Sequence, residues 1–375
     1  MKKIFRKIIL YANVAFAVFL ILSFLSPHLS PEKIWFPAFL GLAYPYILLV
    51  NVVFLLGWII LKRKELLISL LAIILGWGTF SDYLSIHPFR FTKKDHYENL
   101  VREQRKTDHQ VKIISFNVRA FDVYGWEDNL STRTEIFAFL RDEDPDILCI
   151  QEFHSSNRAE FRESDVYRIF DHMPYRHIGY TVSYRTMSYG IATFSHYPII
   201  NKGSVPLEDR SSICVYSDIL MDQDTFRVYT CHLQSAKLDS EQYQILDSLK
   251  FRYDDQQIAE IKDISFRLRD AFIKRAAQAD LIADQIAGCP YPVIICGDFN
   301  DTPVSYTYRT IRDGLQDAFS ESGWGLGRTY HGKFPSFRID YILHSGSINA
   351  LFFKREKVML SDHFPIISYL EIEQK

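Results

Sequence analysis

Ile295-Cys296-Gly297-Asp298-Phe299-Asn300 closes an apolar run that begins at Val293, and it does so with a glycine and two oxygen-bearing side chains. Apolar residues without alternation are expected of a strand covered on both faces, and a glycine lets the backbone turn where a pleat would otherwise continue. Asp298 and Asn300 are thereby expected at the carboxyl end of a buried strand. Four further segments read the same way: Val111 to Phe116 ending in Asn117, Asp146 to Gln151 ending in Glu152, Val228 to Cys231 ending in His232, and Arg338 to Leu343, which carries Asp340. A turn, Ser361-Asp362-His363-Phe364-Pro365, precedes the last strand, Ile366 to Leu370. If these strand ends converge, two amides, several carboxylates and two imidazoles face one cleft.

Hard carboxylate and amide oxygens with no thiolate partner suit Mg²⁺ or Mn²⁺ far better than zinc. His363 beside Asp362, with Asp340 available to orient its ring, supplies a base for activating water. Phosphate ester hydrolysis needs this combination: a divalent cation to neutralise developing charge, a base for the water, and donors such as Asn300 and His232 for the phosphoryl oxygens.

With these motifs, in this order, residues 111 to 372 resemble the endonuclease/exonuclease/phosphatase superfamily, which includes deoxyribonuclease I, AP endonucleases, neutral sphingomyelinases, inositol-polyphosphate 5-phosphatases and RNA deadenylases. The resemblance implies that Asn117 and Glu152 hold the metal with Asp362 near it. It implies that Asp298 positions or activates the nucleophile or leaving group, that Asn300 binds phosphate, and that His363 is the base partnered by Asp340. Thr230-Cys231-His232-Leu233 looks like the histidine-bearing version found in deoxyribonuclease I and the lipid and inositol phosphatases. AP endonucleases typically carry Tyr-Val-Pro-Asn at this place, which disfavours that branch.

Taken singly, each residue has a structural reading. An Asp after a Gly is usually a turn or helix-capping residue, Asp362 could cap a turn, and a histidine in an apolar strand is more often a satisfied core group. Glu152, after Leu148-Cys149-Ile150, needs a partner if buried. Six fitting positions in order outweigh these singly plausible alternatives. Arg119 is a candidate phosphate ligand and equally a candidate surface arginine. Tyr189 to Ala192 with Ser195-His196-Tyr197-Pro198-Ile199 reads as a structural hairpin.

The amino terminus is different in kind. Ile8 to Leu25, about Ile34 to Leu61, and Leu66 to about Leu84 are nearly unbroken apolar runs, read as three transmembrane helices of roughly 20 residues each. A cleaved signal peptide would explain only the first, and a core-helix reading lacks a polar face. Lys2, Lys3, Arg6 and Lys7 precede the first run and Lys62, Arg63 and Lys64 fill the second loop, so the positive-inside rule places the carboxyl-terminal domain outside the cytoplasm. Arg90, Lys93 and Lys94 argue the other way. The expected organisation is a membrane anchor at 1–84, a polar linker at 85–110, and a catalytic domain at 111–375.

A net charge of −2 over 375 residues gives no global pull towards nucleic acid. Cys149, Cys231 and Cys296 fall in expected core strands and read as buried thiols. Phe266 to Ile286 has the apolar stripe of a sheet-covering helix, whereas Leu238 to Ile264 reads as an extended helical hairpin or, alternatively, a cap beside the site.

The expected fold is therefore a four-layer α/β sandwich, two mixed β-sheets face to face with helices outside, behind the membrane anchor. The expected activity is metal-dependent hydrolysis, by water, of a small or lipid-derived phosphodiester or phosphomonoester. The expected partners are that phosphoester and the bilayer, and no segment points to a protein partner. One alternative is a non-specific nuclease, which needs a basic groove from residues such as Arg185, Arg210, Lys237, Arg328 and Lys333. Another is a degenerate binding domain on a membrane stalk, disfavoured because no expected ligand or acid/base position has been replaced.

Overall fold

The computed structural model describes residues 2–85, 109–125, 131–157, 161–184, 186–208, 212–238, 255–332 and 337–373. Two six-stranded mixed sheets form its centre. In strand order, the first is β11 (Ile348–Arg355), β12 (Ile366–Ile372), β1 (Gln110–Asn117), β2 (Ile147–Ser156), β4 (Met187–Ser195) and β3 (Tyr175–Ser183). The second is β5 (Ile199–Ser204), β6 (Ile213–Met221), β7 (Asp224–His232), β8 (Val293–Asp298), β10 (Asp340–Ser345) and β9 (Leu315–Asp317). Each sheet has one parallel pair at its middle, β1 with β2 and β7 with β8. Those four strands are the unalternating apolar runs of the sequence, as burial on both faces requires.

Three apolar layers follow. Val111, Ile113, Ile147 and Cys149 meet Phe226, Val228, Ile294, Cys296 and Ile342 between the sheets. The outer face of the first sheet is covered by the helices Thr132–Glu143 and Glu163–Ile169, through Ile136, Leu140 and Val166. The outer face of the second is covered by the helices Asp255–Ala287 and Tyr306–Arg312, through Ala279, Ile282, Tyr308 and Ile311. The four-layer sandwich is thus the observed fold, and Cys149, Cys231 and Cys296 are buried free thiols.

The structure corrects the reading in three places. Gly297 does not turn the chain; it lies within β8 at φ 152°, where a Cβ would stand 1.9 Å from the Cys231 carbonyl oxygen, so it admits the β7 backbone. β2 does not end at Glu152 but runs on to Ser156, and Glu152 sits at φ 52° in a register shift between Ile150 and Phe153. Such a bulge re-aims a side chain without ending the strand. The helix expected from Phe266 begins at Asp255, so residues 255–264 continue it instead of forming a second arm; residues 239–254 lie outside the described set.

The apolar amino terminus keeps its three candidate runs, one of them a continuous helical segment and two of them bent. Among the described residues the helical segment Ile4–His28, which overlaps α1 (Lys2–Ser23), is by itself long and apolar enough to cross a membrane, and there are up to three such spans if each of two bent helix pairs counts as one. The other two runs are each broken: α2 (Phe36–Leu42) meets α3 (Tyr44–Ile60) at 62°, and α4 (Leu66–Leu75) meets α5 (Trp77–Tyr83) at 69°. Pro45 near the start of α3 lacks an amide donor, and Gly76 separates α4 from α5, with the Phe24 ring occupying the space a Cβ would need. Inside this bundle the Asn13 amide donates to Ser69 Oγ (2.6 Å), Ser69 Oγ to Asn51 Oδ1 (3.1 Å) and Trp58 Nε1 to Asn13 Oδ1 (3.0 Å). Satisfied polar groups of this kind tie helices together where apolar burial alone gives little discrimination.

The bundle docks on the sandwich. Val304 packs into its core with Tyr44 and Ile47, Phe39 meets Phe272 edge-on at 5.2 Å, and Ser85 pairs with Gly325. Asp82 forms an ion pair with Arg312, and its carbonyl accepts from Arg338 Nη2 at 2.7 Å. Val304 lies four residues after Asn300, and Arg338 two before Asp340. The bundle therefore packs on the segments that follow β8 and precede β10, next to the candidate site residues.

Candidate active site

Parallel pairing sets the site. His232 and Asp298 are register partners at the carboxyl ends of β7 and β8, and Asp340, opening antiparallel β10, is opposite Asp298. In the facing sheet Asn117 ends β1 beside Gln151, and the bulge carries Glu152. Ser361 Oγ donates to the Asn117 carbonyl at 2.8 Å and so holds the turn before β12 against the end of β1. Six positions far apart in sequence thus share one cleft between the sheets.

At its floor, His363 Nδ1 is held by both oxygens of Asp340, at 2.9 Å and 3.1 Å. Thr329 Oγ1 accepts from the backbone amides of Ile339 and Asp340, and the Tyr330 ring stands edge-on to the imidazole at 5.1 Å. The other imidazole nitrogen, Nε2, lies 3.7 Å from Asp298 Oδ2, and His232 Nε2 approaches that same oxygen at 3.7 Å. His232 Nε2 is also 3.8 Å from Glu152 Oε1. The Asn117 amide bridges the two carboxylates, at 3.2 Å from Glu152 and 3.1 Å from Asp298.

Asp298 is buried, and that burial pushes its pKa up to about 6, with Asp340 adding to the rise and the two imidazoles opposing it. Burial by itself would depress His363, but the Asp340 and Asp298 carboxylates outweigh it and raise its pKa well above the ordinary imidazole value. Glu152, Asp298 and Asp340 therefore converge on two imidazoles and an amide, an excess of negative charge in a partly buried cleft. The carboxylates offer oxygens, whereas Asn117 turns its amide nitrogen to them while its Oδ1 accepts from the Arg119 backbone amide at 3.1 Å; Cys149, Cys214, Cys231 and Cys296 are buried away from the cleft. Asp298, Asp340 and His363 present ligand atoms within 4.8 Å of one another. That donor set fits a hard divalent cation such as Mg²⁺ or Mn²⁺.

The remaining expected residues sit at the rim. Asn300, at φ 54°, donates its side-chain amide to the Leu233 carbonyl at 3.0 Å, while Asp298 Oδ1 accepts from the Asn300 backbone amide at 2.8 Å. Arg119 Nε is 3.4 Å from Asp362 Oδ2, which places this pair beside the cleft and Asp362 outside the tight group of carboxylates. Arg185, Arg210 and Lys333 lie outside the described residues, so of the five cations named for a nucleic-acid groove only Lys237 and Arg328 are placed.

Sequence reading missed the supports. Arg275, on the helix Asp255–Ala287, is buried with Nε 3.0 Å from Asp301 and Nη1 2.8 Å from the Gln234 carbonyl, joining the segments that follow His232 and Asn300. An arginine within an apolar helical stripe was the available signal. Arg338 is buried against Asp317 at 2.6 Å, and no local pattern marked that pair. Thr329 and Tyr330 had no signal at all.

Residues 114–363 match the family model described as the Endonuclease/Exonuclease/phosphatase family. Residues 6–83 match a second model, described as a domain of unknown function (DUF8431). None of the curated proteins compared matches the chain. Among solved structures, an endonuclease/exonuclease/phosphatase from Bacteroides vulgatus is similar at 19% identity, covering 72% of this chain and 100% of that one, with a TM-score of 0.51. One from Beutenbergia cavernae is similar at 14% identity, covering 70% of this chain and 72% of that one, with a TM-score of 0.51.

Proposed function

The chain belongs to the endonuclease/exonuclease/phosphatase family, and from that premise we propose that it is a membrane-anchored, divalent-metal-dependent phosphoesterase that hydrolyses a lipid-derived or small phosphodiester or phosphomonoester with water as nucleophile. The single observation that carries the chemistry is the His363–Asp340 pair, with its free imidazole nitrogen turned towards Asp298 at 3.7 Å. Glu152, Asn117 and Asp298 would hold the cation, with Asp362 near it. When bound, Mg²⁺ or Mn²⁺ supplies charge neutralisation for the phosphoryl oxygens.

The residues then divide the work. Asp340 fixes the tautomer of His363 by accepting from Nδ1, so Nε2 is the proton acceptor for water as its oxygen bonds to phosphorus. Asp298, close to both imidazoles, positions the water or the departing oxygen as the bond to the leaving group breaks. His232 and Asn300 donate to the phosphoryl oxygens, and Arg119 extends that contact at the rim.

The substrate class rests on the anchor. Its docking on the segments that follow Asn300 and precede Asp340 is what supports a substrate presented at a membrane surface. We read residues 1–84 as three crossings, two of them bent, with 85–110 as a linker and 111–375 as the catalytic domain. The basic residues Arg6, Lys7, Lys62, Arg63 and Lys64 would then keep one end cytoplasmic and the catalytic domain outside.

The test is turnover by the full chain in detergent or vesicles, with Mg²⁺ or Mn²⁺, on sphingomyelin, other phospholipids, inositol phosphates and DNA, beside the Asp298→Asn variant. Lipid or small-ester turnover that Asp298→Asn abolishes is expected. Turnover of DNA alone would establish the nuclease alternative, and no turnover of any ester with an intact fold would leave a binding domain.

A further inference from the structure

A second cluster of metal-ligating side chains stands at the amino end of β2, away from Glu152. Asp144 caps the helix Thr132–Glu143 in a left-handed conformation (φ 43°), His172 lies in the turn between the helix Glu163–Ile169 and β3, and His196 directly follows β4. The His196 backbone amide donates to the Asp146 carbonyl at 2.9 Å, which fixes the base of its side chain beside the helix terminus. His172 Nε2 is 3.9 Å and His196 Nε2 3.6 Å from the same oxygen, Asp144 Oδ1, and the three ligand atoms lie within 4.8 Å of one another.

We propose that Asp144, His172 and His196 form a binding site for a borderline transition-metal cation of the Zn²⁺ class, separate from the catalytic cleft. Three observations carry it. His172 Nε2 is buried and has no hydrogen-bond partner, an arrangement that costs free energy unless something else binds the nitrogen. The spacings are wrong for charge-assisted hydrogen bonds, which draw N and O to about 2.7–2.9 Å. They are close to the edge of a tetrahedral site, since ligand bonds of about 2.0–2.2 Å at tetrahedral angles put neighbouring donors about 3.4 Å apart. Closing the observed 3.6 Å and 3.9 Å to that edge needs movements of a few tenths of an ångström, and Asp144 is the exposed, adjustable member. Asp171 Oδ1 lies 3.8 Å from His172 Nδ1, too far for a hydrogen bond, and adds negative charge beside the ring.

The donor set separates this site from the catalytic one. Two imidazole nitrogens and one carboxylate select Zn²⁺-class ions, while the cleft's oxygen-rich set suits Mg²⁺. The three ligands come from a helix terminus, a helix–strand turn and a strand–strand turn, so an ion there would clasp the outer helices to the β2–β4–β3 side of the first sheet.

The experiment uses the full chain in detergent carrying Glu152→Gln and Asp298→Asn, which weaken cation binding in the cleft. After chelator treatment and dialysis against Zn²⁺, elemental analysis should find one Zn²⁺ per chain, and Co²⁺ should give the visible band of a tetrahedral site. Adding His196→Ala or His172→Ala should abolish both. Asp144→Asn should weaken binding at least tenfold without disturbing the fold, because asparagine tolerates the left-handed conformation. Zn²⁺ should raise the melting temperature of the background protein and not that of the histidine variants. Retention of Zn²⁺ by the histidine variants, or no Zn²⁺ bound by the background protein, would overturn the proposal and leave an ordinary cluster of ionisable groups.

Discussion

Replacing His363 by alanine and Asp340 by asparagine, singly and together, tests the centre of the proposed mechanism. Loss of a general base typically costs about 10² to 10⁴ in rate, or about 3–5 kcal/mol of transition-state stabilisation. His363 has no evident substitute: the other imidazole of the cleft, His232, is bounded by Glu152 and Asp298, and among the described residues no carboxylate hydrogen-bonds it as Asp340 does His363. Asp340→Asn keeps the backbone bonds to Thr329 Oγ1, so its fold is expected to survive. It removes the charge that fixes the Nδ1 proton, and kcat should fall by a similar order. Asp340 also raises the His363 pKa, against the lowering effect of burial. A base works only when deprotonated, so activity should rise with pH through the His363 pKa, and Asp340→Asn should move that limb to lower pH while reducing the plateau. If the pair acts as one unit, the double variant should be little slower than His363→Ala alone. Steady-state turnover of a chromogenic phosphodiester from pH 5 to 10, with circular dichroism and metal affinity as controls, gives the reading. Near-native kcat in folded, metal-competent His363→Ala would refute the assignment, and multiplicative losses would place Asp340 in a structural role instead.

Glu152→Ala should weaken Mg²⁺ or Mn²⁺ binding and turnover together, and unchanged values of both, by calorimetry and kinetics, would remove Glu152 from the metal site. A reporter fused after Lys375 should behave as extracytoplasmic and one inserted between Lys62 and Glu65 as cytoplasmic; the reverse pattern would assign control to the segment holding Arg90, Lys93 and Lys94. Asp317→Asn should destabilise the fold by about 3–5 kcal/mol, because it leaves buried Arg338 without its counter-charge. Burial would raise the Asp317 pKa, but Arg338 and the Tyr308 hydroxyl outweigh it and hold it below the ordinary carboxylate value. That contribution should therefore be present above the ordinary carboxylate pKa and be lost as pH falls through the lower folded value, in the wild type and not in Asp317→Asn, as urea unfolding between pH 3 and 7 can show.

The sequence by itself determined the sandwich and the membership of its cleft. Unalternating apolar runs at 111–116, 147–150, 228–231 and 293–296 read as strands covered on both faces, each with a polar residue at or near its end, and the order of their motifs, by its resemblance to the superfamily, implied the sandwich. Parallel pairing aligns the carboxyl ends of β1 with β2 and of β7 with β8, and the packing of the two sheets brings both pairs to one cleft. Only the tertiary structure decided the rest. Whether β2 ended at Glu152 or bulged there depends on its register with β4, which local composition does not encode. Gly297 was needed for the approach of Cys231, a contact across 66 residues of chain. Arg338 with Asp317, Arg275 with Asp301, and Asp144 with His172 and His196 are pairings of isolated polar residues, which carry no periodicity for a sequence reading to find. The grip of the apolar bundle on the segments around Asn300 and Asp340 was equally hidden: hydropathy reports how a helix meets its solvent and is silent on which part of the chain covers its end.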